Sequence, residues 1–163
     1  MSAGDREKMT CSYDAVAASV SAARRDLIDF AKSAGASDYE LQSIRLAVSE
    51  ALTNVVLHAY RGSSGQIHVN AAVAGGELWI LIADDGAGLH AGGTSGGLGI
   101  GLALIAELSD SFSVVNRASG GTEVRIRFDL QRKPNPRPRQ LASVRGSVAS
   151  ASRPASSIFS TTR

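Results

Sequence analysis

At 163 residues and 44% apolar content, the chain has room for one ordinary folded domain with a buried core. No apolar run approaches the roughly 20 residues that span a bilayer, and residues 1–10 are polar without a signal-like hydrophobic stretch, so a cytoplasmic protein without a membrane partner is expected. The net charge of +2 is unevenly spread: residues 1–130 carry 10 Lys/Arg against 15 Asp/Glu, whereas residues 131–163 carry 7 against none. That basic tail is rich in Pro, Ser and Arg and lacks the interleaved aromatics of a nucleic-acid platform, so it reads as a solvated, disordered extension and direct nucleic-acid binding is not expected. The single cysteine, Cys11, excludes an internal disulfide and reads as an ordinary thiol.

In chain order, residues 14–34 place Val16, Val20, Ala23, Leu27 and Phe30 at helical spacing, with Gly35 as a stop, which predicts a first helix. Ser37 stands three residues before Glu40, the arrangement in which each side chain satisfies a backbone N–H at a helix start. A second helix is predicted over 38–58. Its Leu41, Ile44, Val48, Leu52, Val55 and Val56 form a buried stripe, while Glu50 and Asn54, four apart, share another face. Residues 66–74 (QIHVNAAVA) and 77–85 (ELWILIADD) are rich in β-formers, and Gly75-Gly76 between them signals a hairpin. The run LWILIA suits a strand buried on both faces that delivers Asp84 at its end. Eight glycines between residues 86 and 101 predict a loop, after which IGLALIAEL resumes helical spacing as a third helix. SFSVVNR and TEVRIRFDL close the domain as a hairpin turned at Ser119-Gly120-Gly121. The division expected is a flexible N-terminus over 1–12, one domain over 13–130 and the tail over 131–163. The fold expected is an α/β two-layer sandwich, with a mixed, mainly antiparallel sheet packed on three helices.

A triphosphate needs backbone N–H groups near its oxygens, a divalent ion between them and a polar group to recognise the base. Gly97, Gly99 and Gly101 stand where a chain can approach an anion at the start of a helix. The amide oxygen of Asn54 suits a magnesium shell otherwise filled by phosphate oxygens and water. Asp84, at the mouth of a buried strand, can accept a hydrogen bond from the exocyclic amine of adenine. Each feature alone has a plainer reading: a flexible loop, a turn, or a surface polar residue.

Their order carries more. SEALTNVVLHAY resembles the N-box, DDGAGL the D-x-G-x-G box, GGLGIGLALI the second glycine box and GGTEVRI the closing threonine strand of the GHKL ATPases, the superfamily of gyrase, heat-shock chaperone, histidine kinase and mismatch-repair proteins. The resemblance spans residues 13–130, and within the superfamily the chain looks most like the small bacterial anti-sigma-factor serine/threonine kinases. It implies that ATP and Mg2+ are the cofactors and that Asn54 ligates the magnesium. It implies further that Asp84 holds adenine with support from Thr122, and that Gly86 and Gly88 let the backbone pass the purine. The box Gly97, Leu98, Gly99, Ile100 and Gly101 would face the phosphates. Glu50 would be the general base towards a serine or threonine of a small antagonist protein, with a sigma factor as the second partner and a homodimer as the assembly. One departure stands out: no Lys or Arg occurs between Arg61 and Arg117, where many relatives have an arginine near Ser95-Gly96. The loop Gly92-Gly93-Thr94-Ser95 has the composition of a lid.

Rival readings are weaker. No G-x-x-x-x-G-K-[ST] occurs, and the G-x-G-x-G spacing after a loop is a poor dinucleotide fingerprint. The stretch before the second helix holds neither a span nor a histidine, against a complete sensor histidine kinase, and His58 reads as a helix-end residue. Two classes remain: a kinase, or a regulatory binding module gated by nucleotide without productive transfer.

Overall fold

The computed structural model describes residues 8–88 and 98–131. Nine segments follow one another: β1 (Lys8–Asp14), α1 (Ala17–Ser33), α2 (Asp38–Asn54) continued by a π-helical turn (Val55–Ala59), β2 (Gln66–Ala74), β3 (Glu77–Asp84), α3 (Leu98–Leu108), β4 (Ser111–Asn116) and β5 (Thr122–Asp129). The strands form one sheet in the order β1-β2-β3-β5-β4, with the helices on one face. All four described pairings are antiparallel, so the sheet has none of the parallel component that a mixed sheet implies.

Period-two alternation explains the layering. Ile67, Val69 and Ala71 on β2, Leu78, Ile80 and Ile82 on β3, and Val124, Ile126 and Phe128 on β5 all join the core. The helices answer with Ala23, Leu27 and Ala31 from α1 and Ile44, Val48 and Leu52 from α2, all fully buried. Burial of each such Leu, Ile or Val contributes roughly 1.5–3 kcal/mol. The stripe predicted on α2 is therefore the one used, although Leu41 and Val56 sit at its partly buried margin. On β3 the outward Leu81 and Ala83 are also nearly inaccessible, so the apolar run is buried on both faces as expected.

Local signals set the boundaries. Ser37 Oγ accepts from Glu40 N at 3.3 Å, and Glu40 Oε2 accepts from Ser37 N at 2.6 Å, which starts α2 one residue later. Gly75 and Gly76 take φ of 60° and 79° between the paired Ala74 and Glu77, the two-residue turn whose twist matches its strands.

Three differences from the sequence reading have physical causes. Residues 8–12, read as part of a flexible N-terminus, belong to the edge strand β1, where Met9 and Tyr13 pack against the core and Thr10 donates to Asn70 across the pair. Helix α3 begins at Leu98, so Gly99 and Gly101 lie within its first turns and not in the preceding loop. The second helix stops being α-helical at Asn54 and widens into the π turn before the chain leaves at Tyr60. Gly97 and the lid segment 92–95 lie outside the described residues, as does the tail beyond Gln131. No described helix is long and apolar enough to cross a membrane.

Candidate functional site

Between α2, the π turn, the end of β3 and the start of α3 lies a concavity open to solvent. Asn54, Asp84, Gly88 and Thr122 line it, together with Leu102 and Val124 as apolar walls. Apolar walls with a few converging polar groups are the usual form of small-molecule sites.

At one end, Asp84 is 4% exposed. Its Oδ1 accepts from Gly86 N at 2.8 Å and from Thr122 N at 3.3 Å, so the turn after β3 and the first residue of β5 hold one carboxylate oxygen in place. Two close approaches make this possible. A Cβ at Gly86 would overlap the Ala59 carbonyl, and a Cβ at Gly121 would overlap the Asp84 carbonyl. The Ala59 oxygen, one of the helix-end carbonyls left without an intrahelical partner, accepts from Ala87 N at 3.0 Å. The π turn thus delivers the acceptor that anchors the Asp84–Gly88 turn. Such turns recur at functional sites.

At the other end, Glu50 and Asn54 project from successive turns of α2 towards α3. A Cβ at Gly101 would lie 2.8 Å from Glu50 Oε2 and 3.5 Å from Asn54 Nδ2, so glycine lets α3 close on both polar groups. Among the described residues, Asn54 Nδ2 is the one buried side-chain polar atom without a hydrogen-bond partner. Leaving such a group unpaired costs about 1–3 kcal/mol. An amide carries a hard oxygen donor and an N–H donor on one carbon, so this group fits a metal–phosphate ligand: Oδ1 to a magnesium ion, Nδ2 to an oxygen of its shell. The N–H groups of the first turn of the eleven-residue α3, which have no acceptor within their own helix, add a favourable field for an anion.

The structure therefore lines one cleft with Asn54, Asp84, Gly88 and Thr122, sets Gly86 in the turn bonded to Asp84, and places Glu50 and Gly101 together beside Asn54. Ile100 is not among its walls: its side chain is 87% exposed, so it can serve the cleft only through its backbone.

Sequence reasoning passed over a polar knot behind Asp84. Arg117 Nη1 donates to Asp84 O at 2.8 Å and to Asp85 Oδ1 at 2.5 Å. His68 Nε2 lies 2.5 Å from Asp85 Oδ2, and Ser12 Oγ lies 3.1 Å from His68 Nδ1. The Tyr60 hydroxyl donates to Gln66 O and accepts from Asp85 N at 2.9 Å. The hydrogen bond with His68 holds the Asp85 carboxyl below its ordinary range, against an opposing push from burial that outranks the further lowering by Arg117. The paired aspartates and the cation-free span ending at Arg117 were the available signals. His58, read as a helix-end residue, sits in the π turn and borders the cleft while remaining exposed.

A sequence-family profile described as a histidine kinase-like ATPase domain matches residues 13–128. The chain is 31% identical over 83 residues to the anti-sigma F factor of Clostridium acetobutylicum, covering 51% of this chain and 58% of that protein. It is 35% identical over 81 residues to the serine-protein kinase RsbW of Listeria monocytogenes, covering 49% and 52%. Against the anti-sigma F factor of Clostridium kluyveri it is 37% identical over 51 residues, covering 31% and 36%. The chain thus spans between 36% and 58% of the length of these curated relatives. Among solved structures, the RsbU and RsbW domains of Rv1364c from Mycobacterium tuberculosis match with a TM-score of 0.60 at 24% identity, covering 76% of this chain and 32% of that one, which shows a shared fold.

Proposed function

This chain belongs to the histidine kinase-like ATPase domain family, and from that premise we propose that it is an anti-sigma-factor-type serine/threonine protein kinase. In this reading it binds Mg-ATP, phosphorylates a small antagonist protein and sequesters a sigma factor in the cytoplasm, as a homodimer. The observation that carries the reading is the convergence of Glu50 and Asn54, whose Nδ2 has no partner, on Gly101, with the buried Asp84 at the other end of the cleft that Asn54 lines. The names of the relatives, anti-sigma F factor and serine-protein kinase, point the same way.

Bound Mg-ATP would supply an electrophilic phosphoryl group whose charge the metal partly neutralises. The chain's own residues bind, orient and move a proton. Asp84, with Oδ1 held by two backbone N–H groups, would use its other oxygen to accept from the exocyclic amine of adenine, and Thr122 would flank the base. Gly86 and Gly88 keep side chains away from the purine. Asn54 Oδ1 would hold the magnesium ion, and the backbone of the box Gly97, Leu98, Gly99, Ile100 and Gly101 would supply N–H groups to the phosphates. A Glu50 carboxylate oxygen accepts the proton of the attacking serine or threonine hydroxyl. A base one turn from the metal ligand orients the nucleophile by the same helix that orients the metal.

The test is transfer from γ-labelled ATP and magnesium to candidate antagonist proteins of the same cell, with Glu50→Gln and Asn54→Ala beside the wild type. Label on a serine or threonine, reduced about 100-fold or more by Glu50→Gln while ATP still binds, is the expected result. ATP binding with no label on any candidate would favour the nucleotide-gated binding module, which the absence of Lys and Arg between Arg61 and Arg117 makes the nearest rival. Light scattering at micromolar concentration tests the dimer.

A further inference from the structure

Asp84 is gripped three times by one corner of the sheet. The β3–β5 ladder ends at Ala83 opposite Glu123, one residue before Asp84, and residues 117–121, which join β4 to β5, close over that end. Arg117 Nη1 donates to the Asp84 carbonyl oxygen at 2.8 Å, a Cβ on Gly121 would fall 2.0 Å from the same oxygen, and Thr122 N donates to Asp84 Oδ1 at 3.3 Å. The loop is itself closed, since Arg117 N donates to Gly121 O and Gly120 N to Arg117 O, each at 3.0 Å. Gly88 rests on the same corner: a Cβ there would lie 3.1 Å from Asn116 Oδ1 and 3.5 Å from Gly121 O. Both hydrogen bonds to the Asp84 carboxylate fall on Oδ1, which leaves Oδ2 for the cleft that Asp84 lines.

A buried carbonyl needs some donor, and that alone does not call for an arginine. What marks Arg117 is its second bond: the same Nη1 donates to Asp85 Oδ1 at 2.5 Å, while His68 Nε2 lies 2.5 Å from Asp85 Oδ2. The guanidinium thus ties the Asp84 carbonyl to a carboxylate anchored on β2, and the Asp84–Asp85 peptide cannot turn without breaking that tie. The Asp84 side chain springs from the same Cα, so the aim of Oδ2 depends on it, and hydrogen bonds weaken steeply as their angle closes. We propose that Arg117, anchored by Asp85, is the residue that positions Asp84 Oδ2 for the exocyclic amine and so sets the preference of the cleft for adenine. The proposal rests on the adenine reading of Asp84 and adds a specificity-determining residue outside the motifs that carry the nucleotide site. Arg117 is not among the residues lining the cleft, so it acts through Asp84 and not by touching the base. The first cation after Arg61 is therefore committed to the base end of the cleft and not to the phosphates.

The experiment measures affinity by titration calorimetry, with magnesium and without a protein substrate, for ATP and for purine riboside triphosphate, which carries hydrogen in place of the exocyclic amine. Both ligands have the same ribose and triphosphate, so their affinity ratio cancels the effect of a removed charge on the phosphates. The full-length wild type is compared with Arg117→Gln, Asp85→Asn and Arg125→Gln, the last removing a guanidinium that pairs with Glu123 on β5 instead of with Asp84. The wild type is expected to favour ATP by about 10- to 100-fold, the range of one charge-assisted hydrogen bond. Arg117→Gln should lower that ratio about tenfold, almost wholly through weaker ATP binding, Asp85→Asn about threefold, and Arg125→Gln not at all. A ratio unchanged in Arg117→Gln, whether the two affinities hold or fall together, would overturn the positioning role and leave the adenine reading standing. An equal fall in Arg125→Gln would do the same. If Arg117→Gln does not fold by circular dichroism, an unchanged ratio in Asp85→Asn is the overturning result. A wild type that binds both ligands equally, or neither, would sink the adenine reading and the positioning role with it.

Discussion

The two ends of the cleft are built on opposite principles. At the Asp84 end every described constraint comes from the chain itself: two backbone N–H groups on one carboxylate oxygen, a guanidinium on its carbonyl, and glycines where any Cβ would collide. At the Glu50–Asn54 end the chain leaves a buried amide nitrogen without a partner. A pre-formed end gives selectivity without reorganisation on binding, whereas an end with an unspent polar group gains most when a ligand arrives.

The sharpest way to break the Asp84 end is through its backbone. Gly121 combines φ of 82° with a position where a Cβ would stand 2.6 Å from the Asp84 carbonyl carbon, whereas Gly120 has φ of 97° with nothing within 4 Å. Gly121→Ala is expected to cost about 2–4 kcal/mol in urea denaturation, with loss of nucleotide binding. Gly120→Ala should cost only the strain of the left-handed region, about 1–2 kcal/mol. Equal losses would show that conformation matters there and close packing does not. Next in size, Asp84→Asn should weaken ATP binding roughly 10- to 100-fold, the range of one charge-assisted hydrogen bond, as read by calorimetry. A change below about twofold would place adenine recognition elsewhere.

The Glu50–Asn54 end predicts the opposite sign. Asn54→Leu removes an unpaired polar group at similar volume, so the ligand-free protein should gain about 1 kcal/mol in urea denaturation. Mg-ATP is expected to stabilise the wild type, and the same variant should lose most of that added stability. Destabilisation without ligand would mean that the Asn54 amide is held by the fold and is not kept free for a ligand.

How much of this was legible beforehand follows the same division. The hairpin at Gly75-Gly76, the Ser37–Glu40 start of α2 and the delivery of Asp84 by a doubly buried strand depend on neighbours in sequence, and each was readable. Edge strand β1 was not, because a seven-residue edge strand has one partner and only half-buried apolar positions. Its Met9, Cys11 and Tyr13 alternation was the faint signal. The knot joining Ser12, His68, Asp85 and Arg117 draws on strands β1 and β2 and the turns after β3 and β4, separations of 17 to 56 residues that no local pattern encodes. The partnerless state of Asn54 is likewise a tertiary fact, since spacing placed it beside Glu50 but could not show what surrounds it.

That knot supplies the smallest of the expected effects and a test of whether the pre-formed end is electrostatically braced. The His68 hydrogen bond first and the Arg117 contact next hold the Asp85 carboxyl below its ordinary range. As pH falls, the unfolded chain therefore takes up this proton before the folded one does. The contribution is fully present above the unfolded value of about 3.9 and is lost as pH falls through the lower folded value. With the Asp85 side chain 51% exposed, solvent screening limits it to a few tenths of a kcal/mol. Asp85→Asn should accordingly lower stability slightly at pH 7, and the gap from wild type should close below about pH 4. A gap that widened in acid would mean that Asp85 is not braced by His68 and Arg117, leaving Asp84 held by its own contacts with Gly86, Thr122 and Arg117.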